Sequence, residues 1–150
     1  MVGEMTEPCE HCGRWPAPKL TVDAVVEKNG QILLIKRGIE PFKGMLALPG
    51  GFVSEGEDPQ DAVLRELKEE CGIDGQIIDL MCIKGKSGRD PRGHIVTIVY
   101  LVEAEGEPVA GDDAAHAAWY NLDQIREPLA GDHSEILDDL RQLLAGIGPL

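Results

Sequence analysis

Three carboxylates, Glu66, Glu69 and Glu70, stand at i, i+3 and i+4 inside the stretch GFVSEGEDPQDAVLRELKEECGI, Gly51 to Ile73. On a helix, at about 100° per residue, they share one arc, with Ala62 beside them. Like charges so spaced destabilise a bare helix by a few tenths of a kcal/mol per pair. A cation held on that arc removes the penalty. An all-oxygen carboxylate set is the preference of a hard ion such as Mg²⁺ or Mn²⁺. The competing reading is a solvated acidic face.

A helix must carry these residues, and the chain marks both its ends. Asp58 is the expected N-cap, Pro59 falls in the first turn where its missing N–H is harmless, and Gly72 closes the helix. Val63, Leu64, Leu67 and Cys71 form the apolar arc that docks on a sheet. Asp61, Arg65 and Glu69 are spaced four apart, so Arg65 can bridge acidic neighbours.

The sheet is announced on both sides of that helix. LTVDAVVEK and QILLIKR flank Asn29-Gly30, a strong hairpin signal. MLALP reads as a short strand, QIIDLMCIK and HIVTIVYLVEA as long ones, and HAAWYNL as a short one. Asp132 and Glu135 suggest a capping box that opens a helix over residues 134–145. That helix would bury Ile136, Leu137, Leu140, Leu143 and Leu144. Strands alternating with two helices predict an α/β fold with helices on both faces of a mixed sheet. Residues 1–18 read as an arm or tail and 19–150 as one domain.

Composition narrows the function. The chain has 150 residues, 43% apolar and 27% charged, which suits one soluble globular domain. No apolar run approaches the ~20 residues of a membrane-spanning helix, and no signal core opens the chain. The expectation is a cytoplasmic protein with no membrane partner. The net charge is −13, which repels a phosphate backbone and argues against a nucleic-acid polymer as partner. A small phosphorylated substrate is compatible if metal ions bridge the repulsion. Four cysteines in such a chain do not suggest a disulfide scaffold. Cys9-Glu10-His11-Cys12 looks like half of a Zn²⁺ knuckle, with two reduced thiols as the alternative and a second protomer as one way to complete it.

From Gly51 to Ile73 the sequence resembles the Nudix hydrolase family. The residues are Gly51, Glu57, Arg65, Glu66, Leu67, Glu69, Glu70, Gly72 and Ile73, and every fixed position of the family's box is present. The likeness runs from about Val22 to Leu144 and includes Leu48-Pro49-Gly50-Gly51 and Trp119-Tyr120. It implies an α/β/α sandwich around a mixed β-sheet and hydrolysis of a nucleoside diphosphate linked to another moiety. It also implies Glu66, Glu69 and Glu70, with Gly51, as metal ligands. Arg65 would orient the glutamates, Glu57 would support them, and Gly51 would permit the kink into the helix.

Outside the box the chain is most similar to the ADP-ribose pyrophosphatase branch, on Pro41-Phe42-Lys43-Gly44 and Arg89-Asp90-Pro91-Arg92-Gly93-His94. This implies cleavage of ADP-ribose to AMP and ribose 5-phosphate. Nucleoside triphosphates, dinucleoside polyphosphates, or nucleotide-sugar sensing without turnover are the alternatives. Arg37, Phe42, Gly50, Gly51, Arg89, Arg92 and His94 are the expected substrate contacts. For the 89–94 run an ordinary turn in which Asp90 pairs with an arginine competes equally. Asp113, beside Asp112 in the loop GDDAAHAAW, is the expected general base, with a glutamate of the box as the alternative and His116 a further candidate by chemistry alone. Trp119 reads as core. A homodimer is expected by analogy with relatives.

Overall fold

The computed structural model describes residues 7–146. The elements, in order, are β1 Lys19–Val25, β2 Glu27–Lys28, β3 Gln31–Arg37, β4 Leu46–Ala47, β5 Gly50–Phe52, α1 Pro59–Cys71, β6 Gln76–Lys84, β7 Ile95–Glu103, β8 Ala114–Asn121 and α2 His133–Leu144. They form two four-stranded sheets. In the first, β1 lies parallel to β7 and antiparallel to β5, and β6 closes the far edge against β7. In the second, β3 is flanked antiparallel by β8 and by the short strands β2 and β4.

Alternation along β3 shows how the layers are made. Leu33 and Ile35 pack with Ala62, Val63, Leu67 and Cys71 of α1. Their neighbours Ile32 and Leu34 pack with Ile136, Leu137 and Leu140 of α2. Successive strand residues point to opposite faces. One apolar strand therefore serves two helices, and the architecture is the α/β/α sandwich. Each such fully buried aliphatic side chain stabilises the fold by roughly 1.5–3 kcal/mol.

The helix signals at α1 are realised. Asp58 Oδ1 accepts from Gln60 N at 2.9 Å, and Gly72 ends the helix in the left-handed region at φ 67°. The hairpin is also present, with Asn29 and Gly30 both at positive φ, as a tight primed turn requires.

Three local expectations need correction. The run 20–28 is not one strand: it breaks at Val26, whose carbonyl accepts from Leu33 N, and β1 and β2 enter different sheets. Asp132 precedes α2 but makes no side-chain cap, because its carboxylate is held by Arg89. Leu144, expected on the buried side of α2, is 51% exposed. No helix among the described residues is long and apolar enough to cross a membrane.

Candidate active site

The strand-to-helix connection after β5 brings the carboxylates to a single place. Gly50 lies opposite Asp23 of β1, and a side chain there would run into Val22 O and the Asp23 carboxylate. Its freed N–H donates to Glu70 Oε1 at 2.8 Å, tying α1 to β5. A Cβ on Gly51 would stand 2.5 Å from Glu66 Cδ and Oε1. Only glycine lets the backbone approach that carboxylate so closely.

Arg65 organises the acidic arc. Its Nε and Nη2 donate to the two oxygens of Glu57 at 2.7 and 2.9 Å, and Nη1 donates to Glu66 at 2.9 Å and Glu69 at 3.1 Å. Nη2 also reaches Phe52 O at 3.2 Å, which joins α1 to the end of β5. The planar fork of arginine suits such simultaneous binding. Its hydrogen bonds hold the Glu57 carboxyl down to about 2. Glu57 in turn accepts from Ser54 N at 3.1 Å and fixes the loop before the helix.

Burial acts the other way on the deeper acids. Glu70 is 3% exposed, and burial, with Glu66 and Asp23 close by, pushes its carboxyl up to about 8 despite the Gly50 N–H. Burial raises Glu66 as well, against the opposing pull of Arg65. Oxygens of Glu66, Glu69 and Asp112 lie within 4.8 Å of one another. Among the described residues this is the one group of three or more ligand-type side chains so gathered. Crowded carboxylates set against a glycine cradle fit a hard divalent cation.

Glu66, Glu70 and Asp112 form one wall of a cavity of about 330 Å³, also lined by Arg37, Phe42, Gly50, Gly51, Phe52, Arg89, Asp90, Arg92 and Asp113. That is the size range of a small-molecule site. Arg37 Nε is anchored on Pro41 O at 2.6 Å, and its terminal nitrogens make no protein hydrogen bond among the described residues. Phe42 adopts φ 63° and packs at the core edge.

The run 89–94 divides. Arg89 is occupied: it grips both oxygens of Asp132 at 2.7 and 2.8 Å and donates to Thr97 Oγ1 at 2.9 Å. Arg92 pairs with Asp90 and lies over the Phe52 ring at 4.9 Å. His94 is exposed, contacts Gly85 O at 3.0 Å and does not line the cavity. Of the two loop aspartates, Asp112 joins Glu66 and Glu69, whereas Asp113 only lines the cavity. His116 is exposed on β8 opposite Lys36. Trp119 packs against the α1-side core, with Nε1 donating to Gly106 O at 2.9 Å.

Two residues of the cavity wall were not anticipated from sequence. Asp23 is 7% exposed and faces His133 Nε2 at 3.3 Å, while His133 Nδ1 accepts from Leu48 N at 3.0 Å. That acceptance assigns the ring proton to Nε2, facing the aspartate. An acid inside the apolar run LTVDAVV was the available signal for Asp23; nothing local marks His133.

The NUDIX domain model matches residues 17–140. The chain belongs to the Nudix family. It is 46% identical over 123 residues to an ADP-ribose pyrophosphatase of Methanocaldococcus jannaschii, covering 81% of this chain and 72% of that protein. The NUDIX domain of Shewanella oneidensis NrtR, crystallised with ADP ribose, superposes with a TM-score of 0.78 at 32% identity, covering 87% of this chain and 90% of that one. A bifunctional NMN adenylyltransferase/ADP ribose pyrophosphatase of Francisella tularensis, complexed with AMP and a Mn ion, superposes at 0.71 and 30% identity. The Nudix chain covers 43% of that longer protein, which covers 89% of this one.

Proposed function

We propose that this Nudix hydrolase cleaves ADP-ribose to AMP and ribose 5-phosphate with a divalent cation, Mg²⁺ or Mn²⁺. The observation that carries this reading is a single cavity with a carboxylate wall (Glu66, Glu70, Asp112) and a cationic, aromatic wall (Arg37, Phe42, Arg92, Phe52). The relatives with ADP-ribose in their names support the choice of substrate.

Glu66, Glu69 and Asp112 would hold the cation, with Glu70 behind them bound to Gly50 N–H. Held there, a divalent cation would supply neutralising charge for the diphosphate oxygens and a lowered pKa for the attacking water. The remaining work falls to the chain. Water adds to one phosphorus, the P–O–P anhydride bond breaks, and the proton lost by the water passes to a carboxylate. Asp113 lines the same cavity without joining the Glu66–Glu69–Asp112 group, so it is the loop acid left free of the cation to take that proton. Arg37 offers free donors to the phosphates. Phe42 or Phe52 offers a face to the adenine. Arg89 and Asp132 brace the wall rather than touch substrate.

Substituting Glu66→Gln tests catalysis against sensing. The expected result is loss of turnover by at least about 100-fold while ADP-ribose binding by calorimetry persists. Unchanged turnover would refute the assignment of this carboxylate set.

A further inference from the structure

The segment Cys9-Glu10-His11-Cys12 takes no part in the cavity. Its backbone nevertheless has a defined shape. Cys9 N–H donates to Arg14 O at 2.7 Å, Gly13 N–H donates to Cys9 O at 2.8 Å, and Gly13 turns at φ 72°. Inside this turn the Cys9 sulfur accepts from the backbone N–H of Cys12, then from that of His11, and meets the Cys12 thiol, all of which lower its pKa. A turn that collects N–H groups on a thiolate prepares it as a metal ligand. Both thiols are exposed.

A structural zinc takes four ligands in a tetrahedron. The chain's other two cysteines cannot complete the set. Cys71 is fully buried in the α1-side core, and Cys82 sits in β6 packed against the α2-side core. Among the described residues no other histidine or acid gathers with Cys9 and Cys12 into a three-ligand group. The missing pair must come from another molecule. A second copy of this chain offers the identical turn, and a two-fold axis through the metal makes two Cys₂ halves a Cys₄ site with no further requirement. Trp15, three residues past Cys12, is 62% exposed, an apolar surface that an apposed copy would cover.

We propose that Cys9 and Cys12 form half of a tetrahedral Cys₄ zinc site, completed by the same pair of a second copy, so that zinc bridges a homodimer. Binding converts four thiols to thiolates and releases their protons to solvent. The inference is independent of which substrate the cavity takes.

The test uses the full chain without a histidine tag, reduced and in excess Mg²⁺. Zinc content and molar mass by light scattering are measured for the wild type and for Cys9→Ser/Cys12→Ser. The expected result is roughly half a zinc per chain and a doubled mass in the wild type. The double variant should be a zinc-free monomer with an unchanged melting temperature. Cobalt in place of zinc should give thiolate-to-metal absorption at the same half-stoichiometry, and only in the wild type. The proposal is overturned by one zinc per monomeric chain, by a reduced wild type that holds no zinc, or by a dimer that survives the double substitution.

Discussion

Replacing Glu70 by glutamine should stabilise the metal-free protein at neutral pH. Glu70 is 3% exposed, and burial pushes its carboxyl up to about 8. In the unfolded chain the value returns to about 4.3. Between those two values the folded state holds a proton that the unfolded state has lost, so stability falls as pH rises through the window. At about 1.4 kcal/mol per pH unit the whole span bounds the effect near 5 kcal/mol. Relaxation and water entry reduce this, and a difference of about 2–4 kcal/mol at pH 8 is expected. For a chain of this length that is roughly 4–16 °C in melting temperature. The glutamine keeps an oxygen for the Gly50 N–H, so the link between α1 and β5 survives. The assay is thermal or urea unfolding in chelator from pH 5 to 8.5. The wild type should lose stability along the series and the variant should not. Added Mg²⁺ should narrow the gap, because a cation on Glu66, Glu69 and Asp112 favours the ionised Glu70 that only the wild type has. Parallel wild-type and variant curves in chelator would show that Glu70 is not held protonated in the folded state.

Other positions give equally direct tests. Gly51→Ala places a methyl 2.5 Å from the Glu66 carboxylate, so Mg²⁺ affinity and kcat/KM should each fall by about 10–100-fold, read by calorimetry and steady-state kinetics. Arg65→Lys cannot hold Glu57, Glu66 and Glu69 at once, and it should raise the Mg²⁺ concentration needed for half-maximal activity by about 10-fold or more. Arg89→Met leaves Asp132 unpaired in a largely buried site and should cost about 3 kcal/mol at pH 7. Burial opposes ionisation of Asp132, but the hydrogen bonds from Arg89 prevail and lower its pKa. The pair's contribution is therefore complete above about pH 4 and is lost as pH falls through the lower native value, so the stability gap should shrink in urea titrations at pH 3.

Much of this was legible in the sequence because it is local. The caps of α1 depend on residues within one turn of its ends, and Asp58 and Gly72 act as their types require. The acidic arc follows from helical periodicity, and Gly50 and Gly51 precede it in the chain. What was not legible depends on distant partners. Asp132 has the sequence signature of a capping residue, yet Arg89, 43 positions away, takes its carboxylate. The same pairing removes Arg89 from the group of free phosphate ligands. Asp112 and Asp113 are equivalent as sequence. The loop at positive φ for Asp112 decides which of them meets Glu66. Val26 reads as mid-strand, and only the second sheet's claim on its carbonyl breaks the run.

The proposed function requires the carboxylate arc and the cationic wall to act together on ADP-ribose. The most direct measurement is product release from a panel of ADP-ribose, other nucleoside diphosphate sugars, NADH, diadenosine polyphosphates and dNTPs, with Mg²⁺ and with chelator. The expected result is AMP and ribose 5-phosphate from ADP-ribose, a clear preference for it in kcat/KM, and no turnover in chelator. Preferred turnover of dNTPs, or tight ADP-ribose binding with no cleavage under any metal condition, would contradict it.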